Sequence, residues 1–462
     1  MPASGHQFDP VILREYDIRG IVGESLTAMD ALAVGRTLGT IVARGGGRSV
    51  AIAYDGRTTS PELEAALVDG ISACGLMVRR IGLAPTPAMY FATKVLDVDA
   101  GVMVTGSHNP SNYNGFKINL GGRPFWGQDI QCFGEAAARG DWIDGDGSVE
   151  DVDVRKEYIA KLRSGYNGRR DLTVVWDPGN GAAGEIVADL VERLPGRHIV
   201  INAVIDGTFP AHHPDPTVEA NLAQLKDAVQ ENGAELGVAF DGDGDRLGAI
   251  DGRGRVLWGD QLLALLARDV LARHPGAPIL ADVKASQMLF DEVARLGGQP
   301  VMCPTGHSII KDRMARLNAP LAGEMSGHLF FADGYFGYDD AVYAAVRLLN
   351  LVASSDATLA ELRDQLPAMV NTPEIRIDAD EARKFKIVEE VKSRLADMAG
   401  RSVNDTDGVR VTTDDGWWLL RASNTQSSLV LRCEAGDEAA LERLKSEIRE
   451  QLSMSGVALP EF

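Results

Sequence analysis

The sequence predicts an α/β protein made of three similar α/β-core units followed by a smaller C-terminal α+β unit. Three observations predict it. Short apolar, β-branched runs alternate with helical stripes from about residue 27 onward. The alternation restarts after segments rich in Gly and Asp or after acidic loops. In the last stretch the pattern changes to two-residue alternation with short turns, the signature of an antiparallel sheet carrying helices. The expected units are 1–150, 151–254, 255–367 and 368–462.

Composition agrees. A chain of 462 residues is too long for one core, and units of roughly 100–200 residues suggest about three or four. It is 45% hydrophobic and 24% charged, as a globular chain should be. The net charge of −20 argues against nucleic acid or an anionic membrane as partner. An anionic ligand would need a local cluster of Arg and Lys. Cys74, Cys132, Cys303 and Cys433 lie far apart with no CxxC pair, which fits neither a zinc site nor a disulfide framework. There is no signal-like apolar region and no long apolar run, so the expected compartment is the cytoplasm.

In the first unit, Ala31, Val34, Leu38, Ile41 and Val42 form one helical stripe over 27–44, with Thr27 and Asp30 placed as a capping box. Val50 to Tyr54 reads as a buried strand ending in Asp55-Gly56-Arg57. Ser60-Pro61-Glu62 opens a helix, with Ser60 as its cap. A strand over 76–81, a helix from Pro87 and a strand over 101–104 follow, then a strand over 115–119. Residues 140–153, rich in Gly and Asp, read as a linker. The second unit offers strands over 172–176 and 236–240. The third offers a helix over 260–272, a strand over 279–283, helices over 286–296 and 339–351, and loops at 304–308 and 323–328. The last unit offers a helix over 380–396, strands over 409–412, 417–421 and 429–434, and a helix over 437–452. The units repeat in architecture but do not align residue by residue.

Four loops carry chemistry. Thr105-Gly106-Ser107-His108-Asn109-Pro110 follows an apolar strand, and its Gly and Asn-Pro break that strand sharply, leaving Ser107 at the tip of a turn beside His108. Such a serine is a nucleophile only when activated or already loaded. Asp241-Gly242-Asp243-Gly244-Asp245-Arg246 also follows a strand. Its alternate carboxylates can converge on one side, and three hard oxygens suit Mg²⁺ or Ca²⁺. It is no EF-hand, because its sixth position is Arg246 and its twelfth Gly252. Gly323-Glu324-Met325-Ser326-Gly327-His328 offers acceptors and donors for hydroxyls, and a proton shuttle. Arg421-Ala422-Ser423-Asn424-Thr425 joins an arginine fork to hydroxyls and an amide, a way to grip phosphate. There is no P-loop, G-x-S-x-G or H-E-x-x-H motif.

These loops, in this order and spacing, resemble the α-D-phosphohexomutase superfamily, and within it the bacterial phosphomannomutase/phosphoglucomutase branch, from Tyr16 to Thr425. The pairing of TGSHNP with DGDGDR is the most specific part. The resemblance implies four domains around a central cleft and a phosphoryl group carried on Ser107. It implies Mg²⁺ held by Asp241, Asp243, Asp245 and a phosphate oxygen on Ser107. Glu324, Ser326 and His328 would meet the sugar hydroxyls. Arg421, Ser423, Asn424 and Thr425 would grip the phosphate not being transferred. Tyr16, Arg19, Lys117, Arg246, Lys284 and His307 fall where the family contacts substrate. The expected catalytic set is Ser107, His108, Lys117, Arg19 and His328, with Lys117 or His328 as the proton carrier.

The implied reaction interconverts hexose 1-phosphate and hexose 6-phosphate, of mannose or glucose, through hexose 1,6-bisphosphate. The alternative inside the superfamily is a phosphoglucosamine mutase. Supply of polysaccharide precursors is the implied role, by a monomer whose only partner is the phosphosugar. Outside the family, the rivals are an aspartyl-phosphate enzyme using Asp241 or Asp243, and a non-catalytic sugar binder. A lysine acting as base near neutrality would need its pKa lowered by burial or by cationic neighbours.

Overall fold

The computed structural model of the chain describes residues 5–396, 398, 400–423 and 427–458. Thr27 caps the helix Ala28–Arg44, and Asp30 closes the reciprocal capping box read from the sequence. Ser60 differs from expectation. It is the first residue of the helix Ser60–Ser72, behind Thr59, and its hydroxyl donates to Asp55 Oδ1 at 2.6 Å.

Three sheets share one strand order. In the first, Tyr113–Leu120 pairs antiparallel with Ala100–Val104, which runs parallel to Ser49–Tyr54 and then Met77–Leu83. In the second, Leu247–Asp251 pairs antiparallel with Leu236–Phe240, which runs parallel to Leu172–Asp177 and then Gly196–Val200. In the third, Leu329–Phe331 pairs antiparallel with Leu321–Gly323, which runs parallel to Pro278–Asp282 and then Gln299–Cys303. The middle strands are buried on both faces, as parallel strands covered by helices must be. The repeat invisible in residue identities is therefore plain in topology.

The first sheet gains Ile18–Ile21 beside Tyr113–Leu120, which brings Arg19 opposite Gly115. It also gains an edge strand, Ser148–Asp151, parallel to Met77–Leu83. This corrects the linker reading of 140–153. All four residues of that strand are exposed, so no apolar pattern marked it.

The fourth sheet is antiparallel throughout: Ser402–Asn404, Val409–Thr413, Gly416–Ala422 and Ser428–Ala435, the last also pairing with Val370–Asn371 and Ile375–Asp378. Helices Glu381–Leu395 and Glu438–Met454 cover it. One apolar core runs from the inner face of the first sheet through the second and third, around Tyr158, Trp176 and Phe331. Among the described residues no helix is long and apolar enough to cross a membrane. Cys74, Cys303 and Cys433 are buried free thiols, and Cys132 is exposed.

Candidate active site

The shared topology explains why three of the four loops meet. Ser107, the three aspartates and Glu324-Met325-Ser326-Gly327-His328 each lie in the hairpin between the middle parallel strand and its antiparallel neighbour. They are one repeat position used three times with different chemistry.

Ser107 is buried and adopts φ +50°, the left-handed region. Its Oγ donates to Asp241 Oδ2 at 3.1 Å and lies 3.2 Å from His108 Nδ1. The serine turn and the aspartate loop touch backbone to backbone. A Cβ on Gly242 would fall 2.5 Å from Ser107 O, so only glycine fits there. Desolvation, and then the Arg246 and Arg19 charges, hold the His108 imidazole well below the usual histidine range, so it is neutral.

Asp241, Asp243 and Asp245 are fully buried, and their carboxylates converge. Asp241 Oδ1 accepts from Asp245 N (3.0 Å) and Arg246 N (3.1 Å), which curls the loop around it. Asp243 Oδ2 accepts from Thr86 Oγ1 (2.5 Å) and Lys117 Nζ (2.7 Å), and Asp245 Oδ2 from Lys117 Nζ (2.5 Å). The other oxygens, Asp243 Oδ1 and Asp245 Oδ1, are buried with no hydrogen-bond donor among the described residues. Buried, unpartnered carboxylate oxygens are costly. An all-oxygen donor set of this kind fits a hard divalent cation such as Mg²⁺. Burial, then Asp243 and Asp245, push Asp241 well above the usual carboxylate range, which a bound cation would relieve.

Lys117 departs from expectation. Burial alone would lower its pKa, but its neighbours are anionic rather than cationic. Asp243 and Asp245 push it well above the ordinary lysine value, so it is an ammonium.

His328 is buried opposite Arg246. Arg246 Nε donates to His328 Nε2 at 3.1 Å, which places the ring's lone pair on Nε2 and its proton on Nδ1. Nδ1 lies 3.0 Å from Asp339 Oδ2. Lys311 Nζ donates to the other oxygen of Asp339 (2.9 Å) and to Tyr90 of the first unit (3.1 Å). His307 stacks on His328, ring centroids 5.4 Å apart, and is the first residue of the helix His307–Leu317. Glu324 Oε1 accepts from Gly306 N at 2.7 Å, and Ser326 sits half-buried beside it. The helix expected from Asp339 begins at Ala341 with Asp340 as its cap, leaving Asp339 free to face the histidines.

The C-terminal unit closes the ring. Tyr16 donates to Thr305 O (2.7 Å), Thr305 N donates to Asp407 Oδ2 (3.0 Å), and Arg421 Nε donates to the same oxygen (2.9 Å). First, third and fourth units are thereby linked at the rim. Arg19 pairs with Asp17. Arg421 and Ser423 are buried at the end of the strand Gly416–Ala422. Asn424 and Thr425, expected in this loop, lie outside the described residues.

Lys284 Nζ donates to Glu374 Oε2 at 3.0 Å, across the third and fourth units. Burial would raise the Glu374 pKa, but Lys284 and Arg376 outweigh it and bring it down to about 2 from an ordinary 4.5. A depressed carboxylate stabilises the fold fully above its unfolded pKa, and that contribution is lost as pH falls through the folded value. Glu374→Gln should therefore flatten the fall of stability between pH 4.5 and about 2, by on the order of 1–3 kcal/mol. Urea midpoints of both proteins across that window check it; parallel curves would deny the latch.

Sequence reasoning missed Thr86, Asp339, Asp407, Glu374 and Arg57. None sits in a recognisable motif, and each acts on a loop more than 50 positions away or on a turn it does not belong to. Asp55 ending a predicted strand was the one visible signal near Arg57.

Four family models match consecutive stretches of the chain. They are phosphoglucomutase/phosphomannomutase alpha/beta/alpha domain I at 10–131, domain II at 156–254, domain III at 258–370 and the C-terminal domain at 374–451. The chain is 44% identical to a phosphomannomutase/phosphoglucomutase of Pseudomonas aeruginosa over 97% of both chains. It is 39% identical to a phosphoglucomutase of Neisseria gonorrhoeae, covering 95% of this chain and 96% of that one. A crystal structure of a phosphoglucomutase/phosphomannomutase family protein from Burkholderia thailandensis superposes with TM-score 0.93 at 40% identity, covering 98% of this chain and 99% of that one.

Proposed function

The chain belongs to the phosphoglucomutase/phosphomannomutase family, and from that premise we propose that it interconverts hexose 1-phosphate and hexose 6-phosphate, of mannose and glucose, with Ser107 as the phosphoryl carrier. The observation that carries this reading is Ser107 Oγ set against Asp241 in a buried carboxylate triad, with Lys117, Arg246 and His328 around it.

In this reading phosphorylated Ser107 gives its phosphoryl group to the free hydroxyl of a bound hexose monophosphate. The resulting 1,6-bisphosphate turns over within the site, and the serine takes back the other phosphoryl group. Asp241, Asp243 and Asp245 would hold Mg²⁺, which when bound neutralises charge on the transferring oxygens. Arg246 and Lys117 supply further positive charge beside Ser107. Of the two proton carriers, His328 is favoured over Lys117, whose ammonium is held by two aspartates. Arg246 leaving Nε2 for a phosphate oxygen would free the His328 lone pair, with Asp339 Oδ2 3.0 Å from the ring's Nδ1. Arg19 would act as an electrostatic helper, and Tyr16, His307 and Lys284 would line the sugar. Glu324 and Ser326 would hold its hydroxyls. Arg421 and Ser423, with Asn424 and Thr425, would grip the distal phosphate.

All four loops come from one chain, so the reading needs no second copy, and free thiols fit the cytoplasm. The test is a coupled assay of mannose, glucose and glucosamine 1-phosphates, with and without catalytic hexose 1,6-bisphosphate. Mannose and glucose phosphates should turn over with bisphosphate stimulation. Turnover of glucosamine phosphate alone, or none of the three, would reject the assignment.

A further inference from the structure

Arg57 occupies the repeat position of Lys284. Each stands two residues after an aspartate, Asp55 or Asp282, at the end of the same parallel strand in its sheet. Lys284 reaches toward the C-terminal unit, whereas Arg57 turns beneath the serine loop. Its Nη2 donates to Ser107 O (2.6 Å) and Asn109 O (2.7 Å), and its Nη1 to Pro110 O (2.5 Å) and Tyr113 O (3.1 Å). Four carbonyls of one turn thus converge on one planar cation.

Asp55 completes the clamp from the other side. It accepts from Arg57 Nε (3.1 Å), Thr105 Oγ1 (2.8 Å) and Gly106 N (3.2 Å), while Thr105 Oγ1 accepts from Ser107 N (2.7 Å). Arg57 is 1% exposed, and a Cβ on Gly106 would fall 2.5 Å from its Nε. The second unit covers it. The Phe209 ring centroid lies 5.2 Å from the guanidinium carbon, and a Cβ on Gly207 would fall 2.5 Å from Arg57 Cα.

Ser107 needs such a brace. A non-glycine residue in the left-handed region is strained, and persists only where its surroundings over-determine it. We propose that Arg57, fixed by Asp55 and roofed by Phe209, is a positioning residue for phosphoryl transfer: it holds the Ser107 turn so that Oγ faces the aspartate triad, and it touches neither sugar nor phosphate. The proposal rests on Ser107 being the phosphoryl carrier. Lysine cannot replace the arginine here, because one ammonium has three donors and no planar fork.

Arg57→Lys should lower kcat by about 10²-fold, the effect of misplacing a reacting atom by about 1 Å. KM for hexose 1-phosphate should stay within about 3-fold, since the distal-phosphate and sugar loops are untouched. Intact-mass measurement should show Ser107 taking phosphate from hexose 1,6-bisphosphate correspondingly slowly. Arg57→Ala should recover part of its kcat in guanidinium chloride at sub-denaturing concentration, which a general folding defect would not do. Asp55→Asn, which keeps the arginine but loses the ion pair, should show the same split at about tenfold. If either Arg57→Lys or Asp55→Asn keeps kcat within about 3-fold, or if the loss appears in KM, the proposal is overturned. It is likewise overturned if lost activity only tracks lost folded protein, without guanidinium rescue. An active Ser107→Ala would instead overturn the carrier reading itself, whereas an inactive Ser107→Ala beside a normal Arg57→Lys sinks this inference alone.

Discussion

Ser107→Ala is expected to lower kcat by at least about 10³-fold with hexose 1-phosphate as substrate, even with bisphosphate present, because removing a nucleophile abolishes the covalent route and leaves only binding and electrostatics. Stability should change little. The Ser107 hydroxyl makes hydrogen bonds to Asp241 and to His108, so its loss costs about 1–2 kcal/mol, too little to unfold the protein. The backbone bonds of Ser107 to Thr105 and Arg57 survive the substitution. A folded but inactive variant is therefore the expected result, measured as kcat beside a melting temperature. The chemistry has its own readout. A phosphoryl group on a serine ester survives hydroxylamine, while one on an aspartyl carboxylate does not. Treating phosphorylated wild type with hydroxylamine should leave its mass unchanged. Loss of phosphate there, or activity in Ser107→Ala above a tenth of wild type, would move the nucleophile to Asp241 or Asp243.

That experiment could be designed from the sequence, and the reason is specific. Thr105-Gly106-Ser107-His108-Asn109-Pro110 and Asp241-Gly242-Asp243-Gly244-Asp245-Arg246 are short loops whose chemistry is local to consecutive residues. Periodicity likewise found the strands buried on both faces, such as Leu236–Phe240, and the capped helix Ala28–Arg44. What escaped was relational. The three loops are one hairpin position, but serine, aspartate and glutamate occupy it, so no residue-by-residue comparison could align them. The edge strand Ser148–Asp151 is short and fully exposed, so only its partner Met77–Leu83 reveals it. Lys117 read as a lysine that must be made less basic. Its register opposite Met103 on a buried strand, within reach of two carboxylates from another unit, decides the opposite. Asp339 looked like a helix start because the sequence cannot say which of two aspartates, 339 or 340, does the capping.

Chelation of divalent cations is expected to lower kcat by roughly 10²–10⁴-fold, the rate equivalent of losing several kcal/mol of transition-state charge stabilisation, and added Mg²⁺ should restore it. The argument rests on the imbalance of charge in the buried loop. Three carboxylates converge, Lys117 offsets part of that charge through Asp243 Oδ2 and Asp245 Oδ2, and two further carboxylate oxygens have no donor among the described residues. A cation bound there must also stabilise the fold, by RT ln(1 + [L]/Kd), which is about 2.7 kcal/mol at a hundredfold excess over Kd. Melting temperature should thus rise with Mg²⁺ in wild type and in Ser107→Ala, whose triad is intact. It should rise far less in Asp243→Asn, which loses one converging charge and half of the Lys117 bridge. Because this shift needs no turnover, it separates the cation site from the chemistry. A wild-type protein whose activity and melting temperature both ignore exhaustive chelation would mean that Lys117 and Arg246 alone balance the triad. An Asp243→Asn protein with the full Mg²⁺ shift would place the cation outside these three aspartates.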